Sequence, residues 1–133
     1  MNPLHPEVSE RARQRCEYCH TPSRAFNFPF DVEHIMPHSI GGSDGIDNLA
    51  LSCHSCNAFK SSRQRATDPE TNAIVRLFHP RRDRWEDHFE PSSDALLLHG
   101  KTPIGRATIS VLQINSAEQQ LARAQWKRLK LFP

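Results

Sequence analysis

The sequence lacks several features that would assign it to a particular class of protein. It has no run of about 18 apolar residues, the length that a membrane-spanning helix needs, so we expect no contact with a membrane. Its first residues, MNPLHPEVSERARQR, lack the apolar stretch of a secretory signal, and we expect a cytoplasmic protein. Internal repeats and low-complexity tracts are also missing. With 133 residues, of which 37% are hydrophobic, we expect one domain over residues 1–133.

Cysteine is scarce, and its spacing is informative. The four cysteines form two Cys-x-x-Cys pairs, Cys16 with Cys19 and Cys53 with Cys56. A reducing cytoplasm disfavours disulfides, and two short-spaced pairs are the usual way to offer four thiolates to one tetrahedral zinc ion. The pairs therefore predict a structural Zn²⁺ site that ties two remote segments together. His20 and His54 each follow a cysteine and remain alternative ligands.

The chain also has little excess of positive over negative charge, since its formal net charge is only +2. Its distribution is more informative than its sum. Lys60, Arg63 and Arg65 lie between Asn57 and Ala66 with no acidic residue among them, which predicts contact with a phosphate backbone. The segment 101–133 holds six basic residues and one acid: Lys101, Arg106, Arg123, Lys127, Arg128, Lys130 and Glu118. For that segment, solvated helix faces and phosphate contact remain equally open.

The first half predicts the order helix, strand, loop, strand, helix. Residues 6–14 suit a helix, and alternating apolar residues from Phe26 to Val32 predict a strand that ends near His34. The glycine-rich stretch 39–47 predicts a loop. A short strand at 49–51 and a helix over about 54–62 should follow.

The second half predicts an extension that packs on this core. We expect strands at 81–89 and 95–99, then a helix that starts at Thr102-Pro103 and a last helix capped by Ser116. In the last helix the expected apolar contacts are Leu121, Ala124, Trp126 and Leu129. Together the two halves predict an α+β fold.

The stretch DVEHIMPHSIGGSDGIDNLALSCHSCNAFK, residues 31–60, carries groups suited to phosphodiester hydrolysis. That reaction needs a base to deprotonate water and a cation to neutralise developing charge. His34 has a side chain that titrates near neutrality and can be the base. Glu33 and Asn57 offer hard oxygen ligands, which suit Mg²⁺ or Mn²⁺. Neighbouring strand residues point in opposite directions, so Glu33 and His34 reach one site only if the strand bends where it ends.

Each of these residues alone has an ordinary structural explanation. A histidine before Ile-x-Pro is commonly a packed residue, Asn48 suits a turn, and Asn57 suits the first turn of a helix. Their joint spacing between two Cys-x-x-Cys pairs favours function instead.

The combined pattern resembles the HNH endonuclease family, the ββα-metal nucleases, in its zinc-bearing branch. The matching elements are Cys16/Cys19, Glu33-His34-Ile35-Met36-Pro37, Gly41-Gly42, Asn48-Leu49, Cys53/Cys56-Asn57 and Lys60. The resemblance covers residues 11–65 and implies a ββα-metal core there, with residues 66–133 as a C-terminal α/β extension. It implies that His34 is the general base, that Glu33 and Asn57 bind the catalytic metal, and that Asn48 holds the loop that orients the base.

Two departures from the family pattern concern the metal. Position 33 is often aspartate in the family, and glutamate is a longer ligand. The residue at position 57 is often histidine, whereas the oxygen of Asn57 disfavours zinc as the catalytic ion.

The sequence therefore predicts a metal-dependent endonuclease that acts on DNA, with double-stranded DNA as the expected form, as a monomer or a homodimer. His38 is a further candidate contact to the substrate or to the metal. The alternative is a zinc-stabilised module that binds nucleic acid and does not cleave it. An intact set of His34, Glu33 and Asn57 favours the enzyme, because a binding module does not need a general base.

Overall fold

A β-hairpin followed by a helix forms the centre of the first half. The computed structural model describes residues 1–133, and its architecture is mixed α+β. The helices are α1 (His5–Arg11), α2 (His54–Lys60), α3 (Trp85–His88), α4 (Pro103–Val111) and α5 (Ala117–Arg128). The strands are β1 (Asp31–His34), β2 (Leu49–Ser52), β3 (Arg65–Thr67), β4 (Ile74–Arg76), β5 (Phe89–Pro91) and β6 (Leu98–Gly100).

The hairpin β1–β2 is antiparallel, with Asp31 opposite Ser52 and His34 opposite Leu49. Every residue of β2 is buried, which fits its apolar sequence Leu-Ala-Leu. Helix α2 starts directly after β2, and its first turn is capped by Cys53, whose Sγ accepts a hydrogen bond from Cys56 N at 3.4 Å. The predicted order of strand, loop, strand and helix is confirmed.

The prediction of a strand from residue 26 onward is wrong for its first part. Strand β1 starts only at Asp31, and Phe26 and Phe28 are exposed. Two features explain the short strand. Pro29 has no N–H to donate to a ladder, and the four-residue partner β2 offers no further positions for pairing.

Helix α1 ends earlier than predicted, at Arg11, because Arg13 and Gln14 adopt positive φ angles of 55° and 59°. The helix is fixed to the hairpin by the Arg11 guanidinium. That group donates to the carbonyl of Leu49 at 2.6 Å and to the carbonyl of Ile46 at 3.0 Å. Helix α1 therefore supports the start of β2.

In the second half the helix starts were predicted better than the strands. Thr102 and Ser116 cap α4 and α5 through their side chains, as expected. The predicted strand at 81–89 is wrong, since α3 occupies most of its second half and β5 begins only at Phe89. Strand β6 overlaps the predicted strand 95–99 at two residues, and the hairpin β3–β4 was not predicted.

The apolar face predicted for α5 is also wrong in part. Leu121 and Leu129 are exposed, whereas Trp126 is buried. The fully buried residue of this helix is Arg123, whose guanidinium donates to the carbonyls of Leu96 and Ile114. Arg123 is thus a structural cation.

One hydrophobic cluster of 17 buried residues joins the two halves. It contains all four cysteines and members from the hairpin, the middle segment and the C-terminal helices, among them Leu49, Leu51, Phe78, Phe89, Leu112 and Trp126. None of the helices combines the length and the apolar composition that a membrane crossing needs.

Candidate active site and zinc centre

The four cysteines converge on one buried point. Cys16 and Cys19 come from the segment after α1, and Cys53 and Cys56 come from the start of α2. All four sulfur atoms lie within 4.8 Å of one another, and Cys19 Sγ is 3.8 Å from Cys53 Sγ. A tetrahedral site with Zn–S bonds of about 2.3 Å separates its sulfur ligands by about 3.8 Å. The cluster therefore fits a structural zinc ion.

The two histidines next to the cysteines have other partners. The ring of His20 stacks on Trp85 with a centroid distance of 3.7 Å. His54 Nδ1 lies 2.6 Å from Asp31 Oδ2. The four cysteines, without a histidine, are the set that the fold brings together.

His34 ends β1 and begins a loop that Asn48 holds together. Asn48 Oδ1 accepts a hydrogen bond from Met36 N at 2.9 Å, and Asn48 Nδ2 donates to Met36 O at 2.9 Å and to Ser43 O at 2.8 Å. One side chain thus fixes both sides of the loop. This geometry supports the role that the resemblance implies for Asn48, and the effect on catalysis stays a prediction.

The two glycines of this loop are needed by its backbone. Gly41 has a φ angle of +94°, which side chains rarely allow, and a Cβ atom at Gly42 would collide with the carbonyl oxygen of Met36. The Gly-Gly pair therefore lets the loop fold back on itself beside His34.

Asp44 is a site residue that the sequence analysis missed. His34 Nε2 and His38 Nε2 both lie at hydrogen-bond distance from Asp44 Oδ1, at 2.8 Å and 2.5 Å. The hydrogen bond from His34 is the main cause that lowers the pKa of the Asp44 carboxyl group, followed by the one from His38. A single carboxylate between Gly42 and Gly45, in a loop next to a candidate base, was the available signal.

Glu33 lies on the other side of β1 from the solvent-facing His34. Its carboxylate is buried, accepts a hydrogen bond from the Tyr18 hydroxyl, and pairs with Lys60 Nζ at 3.1 Å. Burial raises the pKa of Glu33, and the nearby Lys60 ammonium opposes that shift. The alternation of a regular strand explains the separation of Glu33 from its neighbour. Its role as a metal ligand stays a prediction.

The placement of Lys60 contradicts the prediction that it contacts phosphate. Its side chain is only 2% exposed, and its ammonium group also donates to Ile35 O at 3.0 Å. With Glu33 and Ile35 as partners, Lys60 is an internal cation that balances a buried carboxylate. Sequence alone could not separate it from its exposed neighbours Arg63 and Arg65.

Asn57 lies in the middle of α2 and points toward the start of β1. Its Nδ2 donates to Asp31 Oδ2 at 3.1 Å, the same oxygen that His54 Nδ1 contacts. Asp31, which the sequence analysis did not select, is therefore the carboxylate in direct contact with Asn57. An open pocket nearby is lined by Glu33, His34, His38, Asn57, Ser61 and Ser62. The pocket is lined by His34 and by the two predicted metal ligands, whereas Asn48 lines a larger groove.

A larger groove on the other side of the Asn48 loop is rich in arginine. Its basic lining residues are Arg63, Arg65, Arg76, His79, Arg81 and Arg82, beside the buried Lys60. Arg76 is paired with Asp83, and Arg81 is paired with Glu17. Arg63, Arg65 and Arg82 are exposed and have no acidic partner, so this groove offers three guanidinium groups that are not paired with a carboxylate.

Comparison with known proteins agrees with the geometry. A scan against models of protein families matches residues 16–63 to HNH endonuclease, which includes both cysteine pairs and the segment from Glu33 to Asn57. No curated protein and no solved structure matches the chain. The match and the cysteine cluster together indicate a zinc-bearing domain with a nuclease or related nucleic-acid function. The match is consistent with an HNH assignment for residues 16–63.

Proposed function

We propose that this protein is a metal-dependent endonuclease that hydrolyses phosphodiester bonds of DNA, with His34 as the general base. The observation that carries the proposal is the position of His34 at the end of β1. Its side chain is 26% exposed toward an open pocket, and its Nε2 is held by Asp44. A base must be both oriented and open to water, and His34 meets both requirements.

Asp44 would decide which ring nitrogen acts as the base. A neutral imidazole has one N–H group and one lone pair. When Nε2–H donates to the Asp44 carboxylate, the lone pair is on Nδ1, which can accept a proton from a water molecule. The carboxylate also stabilises the imidazolium that forms when the proton has been taken up.

Glu33 and Asn57 are the proposed ligands of the catalytic ion, for which we propose Mg²⁺ or Mn²⁺. Carboxylate and amide oxygens fit such ions, and both residues line the same pocket as His34. When bound, the cation would neutralise charge on the phosphate and on the leaving oxygen. Because Asn57 contacts Asp31 directly, we add Asp31 to the candidate ligands.

The proposed substrate is double-stranded DNA. Arg63 and Arg65 would contact its phosphates from the arginine-rich groove, and His38 would contact the strand near His34. A monomer with one such site cuts one strand at a time, so a double-strand break requires a homodimer or two successive events. The oligomeric state and the cytoplasmic location stay predictions.

A second candidate function is a zinc-stabilised module that binds nucleic acid without cleaving it. One observation favours it: the carboxylate of Glu33 is already engaged inside the protein by Tyr18 and Lys60. In that case the arginine groove would bind DNA, and the pocket beside His34 would have no catalytic role.

Plasmid nicking separates the two candidates. The protein, loaded with one zinc ion per chain, is incubated with supercoiled plasmid with and without added Mg²⁺ or Mn²⁺. We expect nicking only with the added ion, and a loss of about 10²- to 10⁴-fold in His34→Ala, the usual contribution of a general base. His99→Ala is the matched control, because His99 is exposed on β6 in a different sheet.

Circular dichroism and zinc content confirm that both variants fold. DNA binding without any nicking by the wild-type protein would support the binding module. Equal nicking by His34→Ala and wild type would contradict the assignment of the base.

A further inference from the structure

Three metal-binding side chains converge where the proposed base lies. His34, His38 and Asp44 each offer one ligand atom, and these three atoms lie within 4.8 Å of one another. Two of the separations are short, with both Nε2 atoms at 2.8 Å or less from Asp44 Oδ1. The rings of His34 and His38 are 4.3 Å apart between centroids. The cluster is open to solvent on the Asp44 side, since the Asp44 side chain is 78% exposed and the His38 side chain is 61% exposed.

The separations are close to those of ligands that share one ion. Ligands at about 2.0–2.1 Å from a tetrahedral zinc ion are about 3.3 Å apart. Moving Asp44 Oδ1 outward by less than about 1 Å would bring both Nε2–O separations to that value. Asp44 lies in a loop next to Gly45, and its hydrogen bonds are those of its carboxylate to the two histidines. The loop can therefore accommodate a movement of this size.

The chemistry of the donors differs from that of the proposed catalytic site. Two imidazoles and one carboxylate suit borderline ions such as Zn²⁺, Co²⁺ or Ni²⁺, whereas Mg²⁺ prefers oxygen ligands alone. The oxygen donors Asp31, Glu33 and Asn57 are a separate group on β1 and α2. The chain therefore presents a nitrogen-rich set and an oxygen-rich set to ions of different character.

We propose that His34, His38 and Asp44 form a binding site for a borderline divalent cation, and that an ion in this site inhibits the nuclease. The inhibition rests on the proposed function, whereas the binding does not. A neutral imidazole whose Nε2 lone pair is bound to a metal carries its proton on Nδ1. His34 then has no lone pair with which to deprotonate water. The same three side chains thus orient the base when the ion is absent and block it when the ion is bound.

Cobalt spectroscopy measures the binding without any use of DNA. The protein is first loaded with zinc at the cysteine centre and then titrated with Co²⁺. We expect one further equivalent with weak visible absorption and without the intense thiolate-to-cobalt band near the ultraviolet, because the new site has no sulfur. His38→Ala and Asp44→Asn should each weaken this binding by about 10-fold or more. Their side chains are 61% and 78% exposed, so both variants should fold.

His99→Ala is the control and should bind Co²⁺ as the wild type does, since His99 lies on β6 and outside the cluster. The absence of a second equivalent would overturn the proposal. So would a second equivalent that His38→Ala and Asp44→Asn leave unchanged, since it would place the ion elsewhere.

Plasmid nicking in Mg²⁺ then tests the inhibition. Zn²⁺ or Co²⁺ should reduce nicking over the same concentration range in which the second site fills, and a chelator selective for the weaker site should restore it. Full nicking by a protein whose second site is filled would overturn the inhibitory role. If the protein never nicks DNA, the proposed function fails, and the Co²⁺ titration still decides the metal site.

Discussion

Glu33 and His34 are neighbours in sequence, and their surroundings could hardly differ more. Glu33 is buried between a tyrosine hydroxyl and a lysine ammonium group. His34 faces an open pocket, where its side chain is hydrogen-bonded to the exposed Asp44 and its ring lies next to that of His38. The alternation of side chains along β1 produces this contrast.

The contrast shows that two adjacent residues of a motif can differ in role, one contributing to stability and the other to chemistry. The Glu33 side holds α2 against β1, because Lys60 belongs to α2 and also binds the carbonyl of Ile35. The His34 side holds little of the fold and presents chemistry to solvent. We therefore expect substitutions on the Glu33 side to reduce stability, and substitutions on the His34 side to reduce activity.

The largest effect on stability should come from Lys60→Met. Removal of one partner from a buried ion pair leaves the other charge uncompensated, which costs about 3–5 kcal/mol. We expect a fall of that size in the free energy of unfolding, measured by urea denaturation at pH 7. The double variant Lys60→Met with Glu33→Gln should recover part of the loss, because the buried charge is gone.

Lys101→Ala is the control for that experiment, since Lys101 is an exposed lysine whose ammonium group binds only the carbonyl of Glu86. Its stability should stay within about 0.5 kcal/mol of the wild type. If Lys60→Met were as stable as Lys101→Ala, the ion pair would not hold α2 to the hairpin.

Asn48→Ala should reduce activity more than stability, in contrast to Lys60→Met. The three hydrogen bonds of its side chain are partly exposed to solvent, so their loss should cost only about 1–2 kcal/mol of stability. The loop that carries Asp44 would no longer be held beside His34, and we expect nicking to fall by at least about 10-fold, as when an orienting group is removed from a functional site. Activity and urea denaturation of the same preparation give the two values.

Asn72→Ala serves for comparison, as another asparagine of a turn, far along the sequence from the pocket. Because Asn72 has a φ angle of 65°, this control should be somewhat less stable than the wild type. Its nicking activity should be unchanged. An Asn48→Ala variant that nicks plasmid at the wild-type rate would show that the loop needs no such support.

The hairpin, α2 and the cysteine centre were all predictable from the sequence. Short-spaced cysteines and an apolar strand are local signals, and the zinc ion combines them into one arrangement. The starts of α4 and α5 were also predictable, because the capping side chains Thr102 and Ser116 act within one turn.

The partners of charged side chains were not predictable. Lys60, Arg106 and Arg123 look like surface residues in the sequence, yet Lys60 and Arg123 are buried, and Arg106 pairs with the buried Asp68. Each of these contacts joins segments that are distant in sequence or depends on which face of an element is covered. Asp31 and Asp44 were missed for the same reason, since only the folded chain brings them to Asn57 and His34.

The smallest expected effect concerns stability in acid. It involves Asp68, which is buried like Glu33 of the Glu33–Lys60 pair. Asp68 accepts two hydrogen bonds from Arg106, each of 2.9 Å. These hydrogen bonds are the main cause that lowers the pKa of the Asp68 carboxyl group. A carboxyl group whose pKa is lower in the folded state stabilises the protein above its unfolded pKa, which is about 3.9. That contribution is lost as the pH falls below this value toward the folded pKa. We expect the free energy of unfolding to decrease between pH 5 and pH 2 less steeply in Asp68→Asn than in the wild type. Equal slopes in urea denaturation series over that range would show that the Asp68–Arg106 pair does not contribute to acid sensitivity.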